Sequence, residues 1–577
     1  MNLNYKKYDN TILFKNFKNI DLLNTENTQN YIPIYKKFFN LNEKNFNSIN
    51  LNNYYTLKSI TNKKTENIYE GVIKNEKKIE YNKNIFFKFS PILDPIKFIT
   101  NNYDLSHSEL LNLPNYNINK IKKVDCFNNS AYIDSFFNYL TSIMLHNYNF
   151  SHGIDFYGSF LGIKNNFYFN ITDDIYNLHE SDIFHKNKNV LFEIMSENYL
   201  NFFNNNTRNY KEKITIGNDI EKINLNICDS SNLDIFNDLF VSNIDNSNNN
   251  FDYSNNIISN ILYEKNIIKL DKSNSSSSSC SSRTSNSSLS DNENDTSSEN
   301  DTSSENDTSS ENNTISSSLV SDDEIFIKLF KFPVQLIALE KCENTLDSLF
   351  NNTDNITDHE LGCIILQIIF ILITYQKNFN FTHNDLHSNN IMYVKTEKKF
   401  LYYKYNFKYY KLPTYGKIFK IIDFGRAIYK HSNKTFCCDS FSPKGDASSQ
   451  YNCEPYFNEN KPRLEPNLSF DLCRLGCSLY DFIVDDVEMA PKSPKTAARR
   501  MIAAWCNDDK GRNMLYKANG EERYPDFKLY KMIARSVHNH TPENVLASGY
   551  FNRFITSKKK LSKRATIIDI DSLPVYT

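Results

Sequence analysis

The chain has 577 residues, 40% of them hydrophobic, and a formal net charge of −2. That length predicts roughly two to four domain-sized units, the apolar share allows a sizeable core, and the balanced charge gives no overall basic field for nucleic acid. The N-terminal stretch MNLNYKKYDN has no apolar signal core, so a soluble intracellular protein is expected and secretion is not. The 11 Cys are then read as reduced thiols. The densest group, Cys437, Cys438, Cys453, Cys473 and Cys477, does not give the paired CxxC spacing of a zinc site.

Residues 1–79 are Asn-rich and weakly patterned, and read as an N-terminal extension. KNIFFKFSPILDPIKFI (83–99) alternates like a strand and then meets a Pro-marked turn. AYIDSFFNYLTSIMLHNY (131–148) has apolar residues at helical spacing. IDFYGSFLG and FYFNIT read as a hairpin. From about 175 to 325 the chain reads as one insertion within an 80–340 unit. Its last part, 273–324, is a Ser-rich tract with NDTSSE repeated, which has too few apolar residues to build a core and is expected to be disordered. FPVQLIALEKCENTLDSLF (332–350) reads as strand, link and helix. The apolar run 361–374 follows. It includes Gln367 and is shorter than the ~20 residues of a membrane span, so a buried core helix is expected. KIFKIIDFGRAI (417–428) is a strand entering a polar turn, and SFDLCRLGCSLYDFIV (469–484) is a helix with Asp near its start. AARRMIAAWC and FKLYKMIARSVH give two further helices in a 341–577 unit. A strand-rich first half and a helical second half predict an α+β, two-lobed enzyme.

The chemistry concentrates in FTHNDLHSNNIMY (381–393), directly after the apolar run. It fits His-x-Asp-Leu-x-x-x-Asn, with Asp385 and Asn390 as the outer carboxylate and amide. Asp423-Phe424-Gly425 follows, then Asp471 in a D-x-x-x-x-G helix start, and Lys88 lies upstream in FFKFSP. This ordered set resembles the protein kinase superfamily over about residues 80–165 and 325–540. The long hairpin before Asp423 and the Asp-Leu-His form are similar to haspin-type kinases. The Asn-rich bias is similar to serine/threonine kinases of giant DNA viruses.

The resemblance implies a two-lobed kinase fold, ATP and Mg²⁺ as cofactors, and a protein substrate phosphorylated on Ser or Thr. It implies that Asp385 aligns the acceptor hydroxyl, that Asn390 and Asp423 offer hard oxygens to Mg²⁺, and that Lys88 holds the α- and β-phosphates. His387, in place of the usual Lys, is expected to donate to the γ-phosphate or to hold the loop. Leu339, Glu340 and Cys342 (LEKC) resemble the hinge that pairs with adenine. Neither a membrane nor nucleic acid is indicated as a partner, and the oligomeric state is left unassigned.

Several positions depart from the family pattern. Asn384 stands where many kinases have Arg. The glycine-rich loop before Lys88 is missing, with only Gly71 in the region. The helix Glu that should pair with Lys88 is absent, and Asp134 is the nearest acid. Ala-Pro-Glu is absent, and Glu454-Pro455 and Glu465-Pro466 both stand as alternatives. Two other readings stay open: a pseudokinase scaffold, and a small-molecule kinase of the aminoglycoside or choline type.

Overall fold

Two fifteen-residue strands lying side by side organise the strand-rich part of the protein. The structure is a computed structural model that describes residues 3–577 apart from 8, 104–108, 118–122, 196–323, 354–355, 485–493 and 563–564. Its architecture is mixed α/β. In chain order, strands β1 (Thr25–Gln29), β2 (Tyr55–Lys63), β3 (Ile68–Asn75) and β4 (Glu80–Pro91) precede helix α1 (Ser130–Tyr148). Strands β5 (Phe156–Asn170), β6 (Phe192–Ile194), β7 (Phe326–Glu340) and β8 (Asn344–Thr345) lead to helix α2 (Asp358–Phe379). Then come β9 (Ile391–Lys395), β10 (Phe400–Tyr405), β11 (Lys408–Pro413), β12 (Lys417–Ile421), β13 (Ile428–His431) and β14 (Lys434–Cys437). Helices α3 (Phe470–Ile483), α4 (Ala497–Trp505) and α5 (Lys528–Ser536) follow.

The main sheet is antiparallel, in the order β1-β5-β7-β4-β3-β2, with β6 also on β7. Its composition corrects two expectations. The stretch 1–79 is not a separate extension, because β1, β2 and β3 are members of this sheet; Tyr69, for example, pairs with Ile85. The hairpin expected around residue 165 is a single strand. Asn166 has a left-handed φ of 54°, yet Asn165 and Phe167 on either side of it stay in register with Lys331 and Leu329. Asn tolerates that conformation better than most residues, so a turn-like sequence passes through a continuous ladder. Residues 175–194 are also tied to the sheet through β6. The Ser-rich tract, apart from Glu324, lies outside the described residues.

Helix α2 explains the polar residue in its apolar run. Gln367 is buried, but its Oε1 accepts from the Phe419 N–H at 3.0 Å and its amide donates to the Lys417 carbonyl at 3.4 Å. The helix is long and apolar enough to cross a membrane, yet 83% of its apolar window is buried inside the protein. The Thr357 hydroxyl caps its start by accepting from the Glu360 N–H, and Asn380 ends it in the left-handed conformation. The hairpin β10–β11 turns at Asn406 and Phe407, both with positive φ, as a two-residue loop requires.

The α1–α2 contact centres on Phe137, which is fully buried. Its ring lies 4.5 Å from Phe381, 4.7 Å from Phe424 and 4.8 Å from Tyr429. One side chain of α1 thus packs on the segments that lead into both polar motifs. Phe137→Ala is expected to cost about 3–5 kcal/mol, measured by denaturant unfolding. Phe407→Ala, at a ring 87% exposed, should stay within about 0.5 kcal/mol of wild type. Equal effects at the two sites would reject this packing.

Candidate active site

Alternation along β4 places Phe87 in the core and Lys88 on the opposite face. The Lys88 ammonium lies 2.7 Å from Asp134 Oδ2 on α1 and 2.8 Å from Asp423 Oδ1. Burial disfavours its charge, but the two carboxylates outweigh burial and raise its pKa above the ordinary value. Asp134 is 2% exposed, and burial raises its pKa against the pull of Lys88. Its Oδ1 accepts from the Phe424 N–H at 2.8 Å and from the Asn138 amide at 2.9 Å. Asp423 is 47% exposed. What burial it has pushes its pKa up, but Lys88 overrules this and holds it down at about 2. Its φ of 61° is left-handed, a conformation Asp visits more readily than most non-glycine residues. The acid expected as Glu is therefore Asp134, one methylene shorter.

The loop 381–390 is held from beneath by Asp471. Its carboxylate, buried in the first turn of α3, accepts from the His383 and Asn384 N–H groups at 2.9 Å each. His383 bridges onward: Nε2–H donates to the Ile422 carbonyl at 2.9 Å, and Nδ1 accepts from the Asp385 N–H at 3.3 Å. Asn390 closes the loop by donating to the Asp385 carbonyl at 2.9 Å and to His387 Nε2 at 3.0 Å. Both hydrogens of the Asn390 amide are then used, which leaves its oxygen without a partner in the loop. His387 is pushed down to about 4 by burial, so it is a neutral acceptor here. Asp385 has one carboxylate oxygen on the Tyr530 hydroxyl at 2.7 Å. Burial would raise its pKa, but Arg426, His387, Arg474 and Tyr530 together lower it.

The remaining predicted positions fall differently. Leu339 and Glu340 end β7 opposite Phe86 and Ile85. The Glu340 N–H already donates to the Asp155 carbonyl, and its carboxylate accepts from Lys420 and from the Asp155 N–H. Glu340 is thus occupied as a strut. Cys342 is buried just beyond the strand. Gly71 is not in a loop: it pairs with Lys83 in mid-strand, where an added Cβ would lie 2.7 Å from the Ser59 carbonyl oxygen. The β2–β3 turn, residues 64–67, reads Lys-Thr-Glu-Asn and has no glycine. Glu454 and Glu465 both pair with Arg463, at 3.6 and 2.5 Å.

Sequence reasoning missed Tyr530, Arg426 and Arg474. Arg426 follows Gly425 directly and pairs with Asp446, and Arg474 lies inside the D-x-x-x-x-G pattern, so both stood beside recognised residues. Nothing near Tyr530 marks it. Among the described residues no cluster of three or more His, Cys, Asp or Glu could hold a metal ion. Asn390 and Asp423 supply two hard oxygen donors, a set that suits Mg²⁺ shared with phosphate oxygens but not a metal held by protein alone.

No protein-family profile matches the chain. A protein of Acanthamoeba polyphaga mimivirus, provisionally named serine/threonine-protein kinase R301, is 31% identical over 137 residues, covering 19% of this chain. The chain spans 34% of that relative's length. This distant similarity supports a kinase-like relationship.

Three buried imidazoles, His152, His387 and His431, are each lowered to about 4, by burial first. The folded value lies below the ordinary 6.5, so each contributes stability that is full above pH 6.5 and is lost as the pH falls towards 4. The raised carboxyls of Asp134, Asp155 and Asp471 act in the opposite direction. Direct titration is therefore the clean readout. Nitrogen-detected NMR should find all three rings neutral at about pH 5.5, and a ring protonated above pH 6 would contradict its burial.

Proposed function

We propose that the protein is an ATP-dependent protein kinase of two-lobed design, transferring the γ-phosphate to Ser or Thr hydroxyls of a protein substrate. The observation that carries this reading is the Lys88 ammonium shared by Asp134 and Asp423. A strand Lys paired with a helix acid, close to the Asp of the Asp-Phe-Gly turn, is the arrangement phosphoryl transfer uses to hold a triphosphate. The clamped loop bearing Asp385 and Asn390 supplies the rest. The hairpin-linked strands β2, β3 and β4 followed across the sheet by β7 and β5 fit the strand-rich lobe of such an enzyme.

In this reading Lys88 binds the α- and β-phosphates, and the hinge backbone beyond Glu340, near Cys342, receives adenine. Asn390 and Asp423 hold Mg²⁺, which when bound neutralises charge on the phosphates. Asp385 aligns the acceptor hydroxyl and takes its proton as the new O–P bond forms, and the bond to the ADP oxygen breaks. His387, neutral and accepting from Asn390, keeps the loop in shape. A protein substrate and an intracellular setting belong to the same proposal.

A pseudokinase scaffold is the second reading, favoured by the glycine-free turn 64–67. Transfer from radiolabelled ATP with Mg²⁺ to the chain itself and to casein separates the two. Wild type should label, and Asp385→Asn and Lys88→Met should each lower transfer by about 100-fold or more. ATP binding with no transfer would favour the scaffold.

A further inference from the structure

Asp385 owes its orientation to a residue 145 positions away. The Tyr530 hydroxyl on α5 donates to Asp385 Oδ1 at 2.7 Å and accepts from Arg474 Nε at 3.0 Å. The ring is held by three neighbours. The Arg474 guanidinium lies 5.2 Å from its centre and that of Arg426 5.9 Å, while Phe527 stacks on it at 5.3 Å. Arg426 is in turn held by Asp446. Helix α5 packs on α3, which also carries Asp471, the clamp of the same loop. Two supports thus reach the loop from one pair of helices: Asp471 fixes its backbone and Tyr530 fixes its carboxylate.

The terminal torsion of an Asp side chain is broad, so a carboxylate with no partner samples many orientations. A hydroxyl fixed by Arg474 removes that freedom at one oxygen. Asp385 Oδ2 takes no hydrogen bond from the described residues and remains available. Burial pushes the Tyr530 phenol up to about 12, so it stays a donor through the working pH range.

We propose that Tyr530 is a positioning residue for phosphoryl transfer: its hydroxyl, fixed by Arg474, holds Asp385 Oδ1 so that Oδ2 is the oxygen left for the acceptor hydroxyl. The proposal rests on the kinase reading. In the transfer step the acceptor's proton passes to Asp385 Oδ2 while its oxygen bonds the γ-phosphorus and ADP departs. Tyr530 keeps its own proton throughout.

The test is Tyr530→Phe in the full chain, which keeps the ring between the two guanidiniums and removes only the hydroxyl. With ATP, Mg²⁺ and casein, kcat should fall about tenfold, the size of losing one hydrogen bond to a charged group, while KM for ATP stays unchanged. Arg474→Gln, which frees the hydroxyl, should move kcat in the same direction. An unchanged kcat in an active Tyr530→Phe protein would make Tyr530 merely structural. A raised kcat/KM for casein would make its hydroxyl an occupant of the acceptor position that substrate must displace, and either result overturns the proposal alone. A wild type without transfer removes the kinase reading and this proposal together.

Discussion

One ammonium group joins three distant parts of the chain. Lys88 comes from an inner strand of the main sheet, Asp134 from helix α1, and Asp423 from a turn nearly three hundred residues further on. Asp134 is too deeply buried to stay ionised without help, because a desolvated carboxylate would rather take a proton. Lys88 supplies one compensating charge, and the Phe424 N–H supplies a dipole. The same Lys draws Asp423 to the site. Moving Lys88 would leave the Asp134 carboxylate buried without its compensating charge, which costs several kcal/mol. The relative placement of sheet, helix and turn is therefore set by electrostatics, and the Phe137 cluster fills the space around it.

What was legible in the sequence follows from this. Asp385, Asn390, Asp423 and Asp471 sit at fixed spacings because each occupies a short loop or a helix start, where spacing in sequence controls position in space. Helix α1 showed itself by apolar residues at helical spacing, and α2 by an apolar run of core-helix length. Asp134 was harder: the pattern calls for Glu, and only the geometry shows that the shorter acid still reaches Lys88. The strands before residue 80 were hidden because the stretch around them is Asn-rich and β2 shifts register twice, so its buried Leu57 and Ile60 stand three apart instead of alternating. The break at Asn166 looked like a turn because Asn is a turn former; the partner strand, too distant in sequence to see, keeps the ladder running on both sides of it. Tyr530 had no signal at all, since its role depends on how α5 lies against α3.

The loop that holds Asp385 is polar, yet the helix before it is almost entirely apolar. These facts have one cause. A loop whose backbone groups are buried needs partners for them, and this loop finds rigid ones: Asp471 on two N–H groups, His383 between Ile422 and Asp385, Asn390 back onto Asp385. Such a network keeps its geometry only if its base does not move. A buried apolar helix, with Gln367 spent on the neighbouring strand, provides that base.

Asn384 shows how the same economy extends to the segment after Gly425. In place of the Arg of many kinases, it has a left-handed backbone, donates to the Thr382 and Arg426 carbonyls and accepts from the Tyr451 hydroxyl. Its side chain is consumed by local geometry. The charges that anchor the following segment lie elsewhere: Asp446 on Arg426, and Asp439 on Lys123 at 2.6 Å. Both carboxylates are mostly buried, so salt screens them little. A phosphate can be added and removed, whereas these carboxylates are fixed by the sequence. The position of this segment is therefore written into the chain at Asp439 and Asp446, and the neutral Asn at 384 is what that arrangement permits.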